Sequence, residues 1–159
     1  MFKPLKIGFS YGLSSGVITT LGLMVGVATS TNSKLAVIGS IITIAVADAL
    51  SDALGIHIST EFSGGKEIKE IWWSTLFTFL SKFVFAIIFV IPVLFAINLF
   101  YAMLISIVLG IFILGVFSYF MAKQNNANIR NTIFEHIAMT ILVITLSYFI
   151  GRFINNVFA

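Results

Sequence analysis

The stretch Leu35-Ala36-Val37-Ile38-Gly39-Ser40-Ile41-Ile42-Thr43-Ile44-Ala45-Val46-Ala47-Asp48-Ala49-Leu50-Ser51-Asp52-Ala53-Leu54-Gly55-Ile56-His57-Ile58-Ser59 decides the fold. It exceeds the roughly 20 residues needed to cross a bilayer core, yet it carries two aspartates. A carboxylate at that depth costs about 2.5–3.5 kcal/mol on insertion scales, so the pair is expected to face protein or water rather than lipid. Spaced i and i+4, Asp48 and Asp52 leave one helical face, which Gly55 and Ser59 continue with small residues. That face is the candidate permeation or binding face.

The rest of the chain has the same character. Only 9% of its residues are charged and 59% are hydrophobic, against roughly 25% charged in soluble domains. The expectation is an all-α integral membrane protein with five transmembrane helices in a single domain over 1–159. The spans are read at about 8–28, 35–59, 71–92, 96–121 and 133–157, with a turn around Pro92 between the third and fourth. Met1 to Lys6 is basic, but the following segment is long enough to span and has no clear processing site, so it reads as a retained helix.

With five spans, Lys3, Lys6, Lys66, Lys69, Lys123 and Arg130 share one side of the membrane, and Lys34 and Arg152 the other. By the positive-inside rule the N-terminus is then cytoplasmic and the C-terminus outside. Trp72, Trp73, Tyr101, Tyr119 and Tyr148 fall near helix ends as interfacial anchors. The bias toward Ile, Phe, Lys and Asn suggests an AT-rich prokaryotic genome, and hence the cell membrane. The basic residues form no cluster, so nucleic acid is not an expected partner. Absence of cysteine removes disulfides and thiolate chemistry. There is no Ser-His-Asp arrangement, H-E-x-x-H or phosphate-binding glycine loop, so an enzyme is not expected.

In the first span Gly8, Gly12 and Gly16 recur every four residues, and Gly22 and Gly26 repeat the spacing. Such rows let backbones approach closely and predict a helix interface, with a homodimer through the first helix as one use of it. Ser14, Ser15, Thr19 and Thr20 add hydroxyls at mid-depth, either for a site or bonded back to their own helix. Lys82 lies too deep in the third span to snorkel, and the only acids at comparable depth are Asp48 and Asp52. It is expected to pair with one of them, leaving the other free. That pair either fixes helix packing or exchanges charge with a passing cation or proton. His57 and Glu61 share an i,i+4 spacing that suits two metal ligands, whereas Glu67, Glu70 and Glu135 read as solvated loop or helix-start acids.

In succession these segments resemble the vacuolar iron transporter family. Gly12-Leu13-Ser14-Ser15-Gly16 is similar to its first-helix G-L-S-D-G pattern, and Ala49-Leu50-Ser51-Asp52-Ala53-Leu54-Gly55 to its A-I-S-M-G-L-G segment. Ile91-Pro92-Val93-Leu94-Phe95 and Ser147-Tyr148-Phe149-Ile150-Gly151-Arg152 resemble its third and closing helices. The resemblance implies a five-helix dimer that exports ferrous iron, and often manganese, from the cytosol in exchange for protons. The first two helices would line the pathway at the dimer interface.

This chain departs from the pattern in three ways. Ser15 stands where the family has an aspartate, and an alternative register puts Tyr11 there. Asp52 stands where methionine is common. The cytosolic insertion after the second helix is reduced to 60–70. Carboxylates and hydroxyls suit harder cations such as Mn²⁺.

The functional expectation is a proton-coupled exporter of divalent metal, Fe²⁺ or Mn²⁺, with no resident cofactor. Asp48 and Asp52 would coordinate the cation or carry the proton, Ser15 and Thr19 would lend oxygens, and His57 and Glu61 would guide metal from the cytoplasmic mouth. The alternatives are a carrier of another solute that uses Lys82 with the aspartates, and a non-transporting membrane scaffold.

Overall fold

The computed structural model describes residues 3–64 and 67–158; Met1, Phe2, Gly65, Lys66 and Ala159 lie outside it, and Lys66 with them as a topology marker. The described chain is all-helical: α1 (Lys3–Thr31), α2 (Lys34–Phe62), α3 (Ile68–Ile87), α4 (Val90–Phe95), α5 (Leu99–Gln124) and α6 (Ile129–Phe158). Five segments are long and apolar enough to cross a membrane, with α3 and α4 forming one of them, Ile68–Phe95. Four of the expected spans are extended by a few residues at both ends, and the fourth, expected at 96–121, is shifted three residues later to Leu99–Gln124.

The expected turn at Pro92 is displaced. Pro92 lies inside α4, and the break comes earlier, at Ile88 and Phe89. Proline has no N–H to offer the carbonyl four residues back, and its ring crowds that carbonyl, so the helix is interrupted one turn before it. As the third residue of α4, Pro92 occupies a position whose N–H has no partner inside that helix in any case. The true reversal follows at 96–98, where the Asn98 side chain caps α5 by accepting from the Tyr101 N–H at 3.1 Å.

Helix α1 is the axis of the bundle and packs against α2, α3, α5 and α6. Its glycine rows explain how. A Cβ on Gly12 would lie 2.5 Å from the Thr78 carbonyl oxygen, and one on Gly16 would lie 2.9 Å from that of Lys82, so the two backbones of α1 and α3 are in direct apposition. Gly22 sits against Val143 of α6, where a Cβ would meet the valine methyl at 2.7 Å, and Gly151 returns the favour toward the Gly26 carbonyl. The rows predicted to make a helix interface do so within the chain, against α3 and α6. They leave no glycine seam on α1 for a second copy. Leu13, Val17, Leu21 and Met24 fill the remaining faces, meeting Val37, Ile41, Phe89 and Leu114 in the apolar core.

Polar ties fasten the end of the bundle opposite the N-terminus. Asn32 turns the chain between α1 and α2 at φ 49°, a conformation asparagine tolerates, and Ser33 caps α2. Lys34 Nζ donates to the Ala96 carbonyl at 2.6 Å, and Asn155 donates to the Ser30 carbonyl at 2.9 Å.

Candidate functional site: a lysine between two aspartates

Asp48 is the middle residue of α2, and Lys82 stands at the middle of the third span. The close α1–α3 packing brings Lys82 up behind Ser15, and α2 lies across both. Lys82 Nζ contacts Asp48 Oδ2 at 2.5 Å and also pairs with Asp52 Oδ2. The expectation that one aspartate stays free is corrected here, because residues i and i+4 on one face are near enough for a single ammonium to reach both. The lysine side chain is 2% exposed, whereas Asp48 and Asp52 retain 30% and 18%. The cation is therefore sealed inside the bundle, and the carboxylates open outward from it.

Helix α1 supplies the hydroxyls. Ser15 Oγ donates to Asp52 Oδ2 at 2.7 Å and accepts from Lys82 Nζ at 3.0 Å. Thr19 Oγ1 lies 3.3 Å from Asp48 Oδ2 and 2.8 Å from the Ser15 carbonyl, so it serves both the site and its own helix. Ser14 bonds back to the Ser10 carbonyl at 2.8 Å and takes no part. Tyr11, one turn before Ser15, sets its phenol beside Asp52. Asp48, Asp52, Ser15 and Thr19 thus come together around Lys82.

His57 and Glu61 are not part of this cluster. His57 Nδ1 is 3.0 Å from Thr75 Oγ1, and its ring meets Trp72 edge-on at 4.8 Å between centroids, so it is engaged with α3. Glu61 is exposed at the end of α2. Among the described residues no three His, Cys, Asp or Glu side chains converge as metal ligands. Two carboxylates and two hydroxyls are therefore the oxygen set that a cation would find.

One feature passed unread in the sequence. A groove of about 540 Å³ follows α2 from Asp48 toward the Lys34 end, lined by Leu23, Gly39, Ser40, Thr43 and Ala47. Gly39, Thr43 and Ala47 repeat every four residues, the same signal that marks the α1 rows. Here the face is open, and beyond its chain neighbours and the local backbone of α2 no atom lies within 4 Å of where a Gly39 Cβ would be. Comparison with protein-family models, curated proteins and solved structures found no match.

Proposed function

We propose that the protein is a proton-coupled transporter that moves divalent cations, Fe²⁺ or Mn²⁺, out of the cytosol, with Asp48, Asp52 and Lys82 as its exchange site. The observation that carries this reading is the buried Lys82 ammonium held between two carboxylates midway along two candidate membrane spans. A dication bound by Asp48 and Asp52 would sit where that ammonium sits. Two like charges at that separation repel strongly in a medium of low dielectric, so the cation is accommodated only if Lys82 loses its proton or swings away. In the first case metal arrival and proton departure are one event. The charge count favours it: two carboxylates with an ammonium carry −1, and two carboxylates with a dication and a neutral amine carry none. Ser15 and Thr19 complete an oxygen-rich shell of the kind hard cations prefer.

The groove from Asp48 toward the Lys34 end is the candidate half-path on that side. The positive-inside rule makes that end the outside, and His57 with Glu61 marks the opposite, cytoplasmic approach. Because the carboxylates open outward at mid-depth, they call for a cover other than lipid, and a second copy meeting α2 and the Tyr11 side of α1 supplies one. The resemblance to the vacuolar iron transporter family agrees with such a dimer.

The test is uptake of Mn²⁺ and Fe²⁺ into proteoliposomes under an imposed pH gradient, beside Asp52→Ala. Gradient-dependent flux lost in the variant supports the reading, and flux unchanged by it removes the site. Absence of flux from folded protein transfers weight to a second reading, which one observation favours: Lys82 already satisfies both aspartates. On that reading the cluster clasps α1, α2 and α3 in a non-transporting scaffold, or serves a carrier of another solute.

A further inference from the structure

A second groove, of about 730 Å³, runs between α1, α3 and α5 on a different flank of the bundle from the aspartates. Its volume falls in the range of ligand pockets, roughly 300–1,000 Å³. The floor is aromatic: Phe9 meets Phe85 and Phe117 edge-on at 6.1 and 6.2 Å between centroids. Lys6 and Lys123 also line the groove, near the first turn of α1 and in the last turn of α5, and so at the same end of the bundle. Neither makes an ion pair among the described residues, where Lys82 accounts for the pairs found.

Length identifies the occupant. From Lys123 down to Phe112, the lining residue nearest mid-membrane on α5, the helix rises about 16 Å at 1.5 Å per residue. Half of a 30 Å hydrocarbon core is about 15 Å, so the apolar part of the groove matches the depth of one leaflet. The two ammonium groups then stand at headgroup level. We infer that this groove binds one anionic phospholipid, with an acyl chain on the aromatic floor and the headgroup phosphate between Lys6 and Lys123. A zwitterionic lipid fits the floor equally well but brings its own cation to the lysines. Selectivity therefore resides in the rim and falls with salt.

The experiment uses the full chain in detergent, titrated with dioleoylphosphatidylglycerol or dioleoylphosphatidylcholine, reading bound lipid by native mass spectrometry and the unfolding temperature in parallel. The expected result is roughly tenfold tighter binding of the anionic lipid at low salt. That preference should vanish in Lys6→Gln/Lys123→Gln and persist in Lys69→Gln, which removes a lysine from the same end but outside the groove. Val116→Trp, which fills the groove and keeps both lysines, should weaken both lipids. Equal affinity for the two lipids overturns the inference, as does a preference that survives the double substitution. Unchanged binding to Val116→Trp, or equal stabilisation by glycerol 3-phosphate alone, overturns it too.

Discussion

Asp48 with Asp52 and His57 with Glu61 have the same i,i+4 spacing on the same helix, and they differ in depth. At the centre of α2 the carboxylates have lost most of their solvation and a counter-charge comes from another helix; Lys82 provides it from α3 and is itself almost wholly enclosed. Near the end of α2, Glu61 is exposed and His57 bonds Thr75, so neither requires an ionic partner. Equal spacing thus produces a tightly bound charge cluster in one place and a loose polar end in the other. What decides is how much solvation each group has lost.

The largest way to break this contrast is to remove the lysine. Lys82→Met leaves two carboxylates at mid-membrane without their cation, and the loss of stability should be about 3 kcal/mol, read as a drop in unfolding temperature in detergent. Adding Asp48→Asn and Asp52→Asn to it should recover most of that loss. A triple variant no more stable than Lys82→Met would mean that the lysine acts through packing rather than charge.

The next effect separates the two classes of glycine. Gly12→Ala drives a methyl into the α3 backbone that carries Lys82, and should cost about 2 kcal/mol. Gly55→Ala, on the open face of α2 with nothing within 4 Å, should be neutral or stabilising by up to about 1 kcal/mol. Equal effects in the same unfolding assay would deny that α1 and α3 are in backbone contact. The smallest effects belong to the helix end. His57→Ala should cost about 1 kcal/mol for its bond to Thr75, and Glu61→Gln less than about 0.5 kcal/mol. A loss at Glu61 as large as that at Lys82 would erase the distinction of depth.

The five spans were legible because charge is scarce and the apolar runs are long. The partnership of Lys82 was legible in part: only two acids share its depth, but geometry alone reveals that one ammonium serves both. The glycine rows announced an interface without naming its partner, since the spacing that suits a second copy suits α3 and α6 equally well. Pro92 misled by position. Its effect falls on the carbonyl of Ile88, one turn earlier, so the break and the residue that causes it are separated. The contact of His57 with Thr75 and Trp72 depends on how α2 and α3 pack, which the spacing within one helix does not encode. Gly39, Thr43 and Ala47 carried a readable repeat, overshadowed by the aspartates that follow them.

On the proposed function, a cation and a proton exchange at Lys82, Asp48 and Asp52. The most direct test is to record Mn²⁺ influx and proton efflux simultaneously in the same proteoliposomes, with indicators for both trapped inside. The two are expected to move together, and both to disappear in Asp52→Asn. Mn²⁺ movement with no accompanying proton movement, or coupled movement that survives Asp52→Asn, would contradict the proposal.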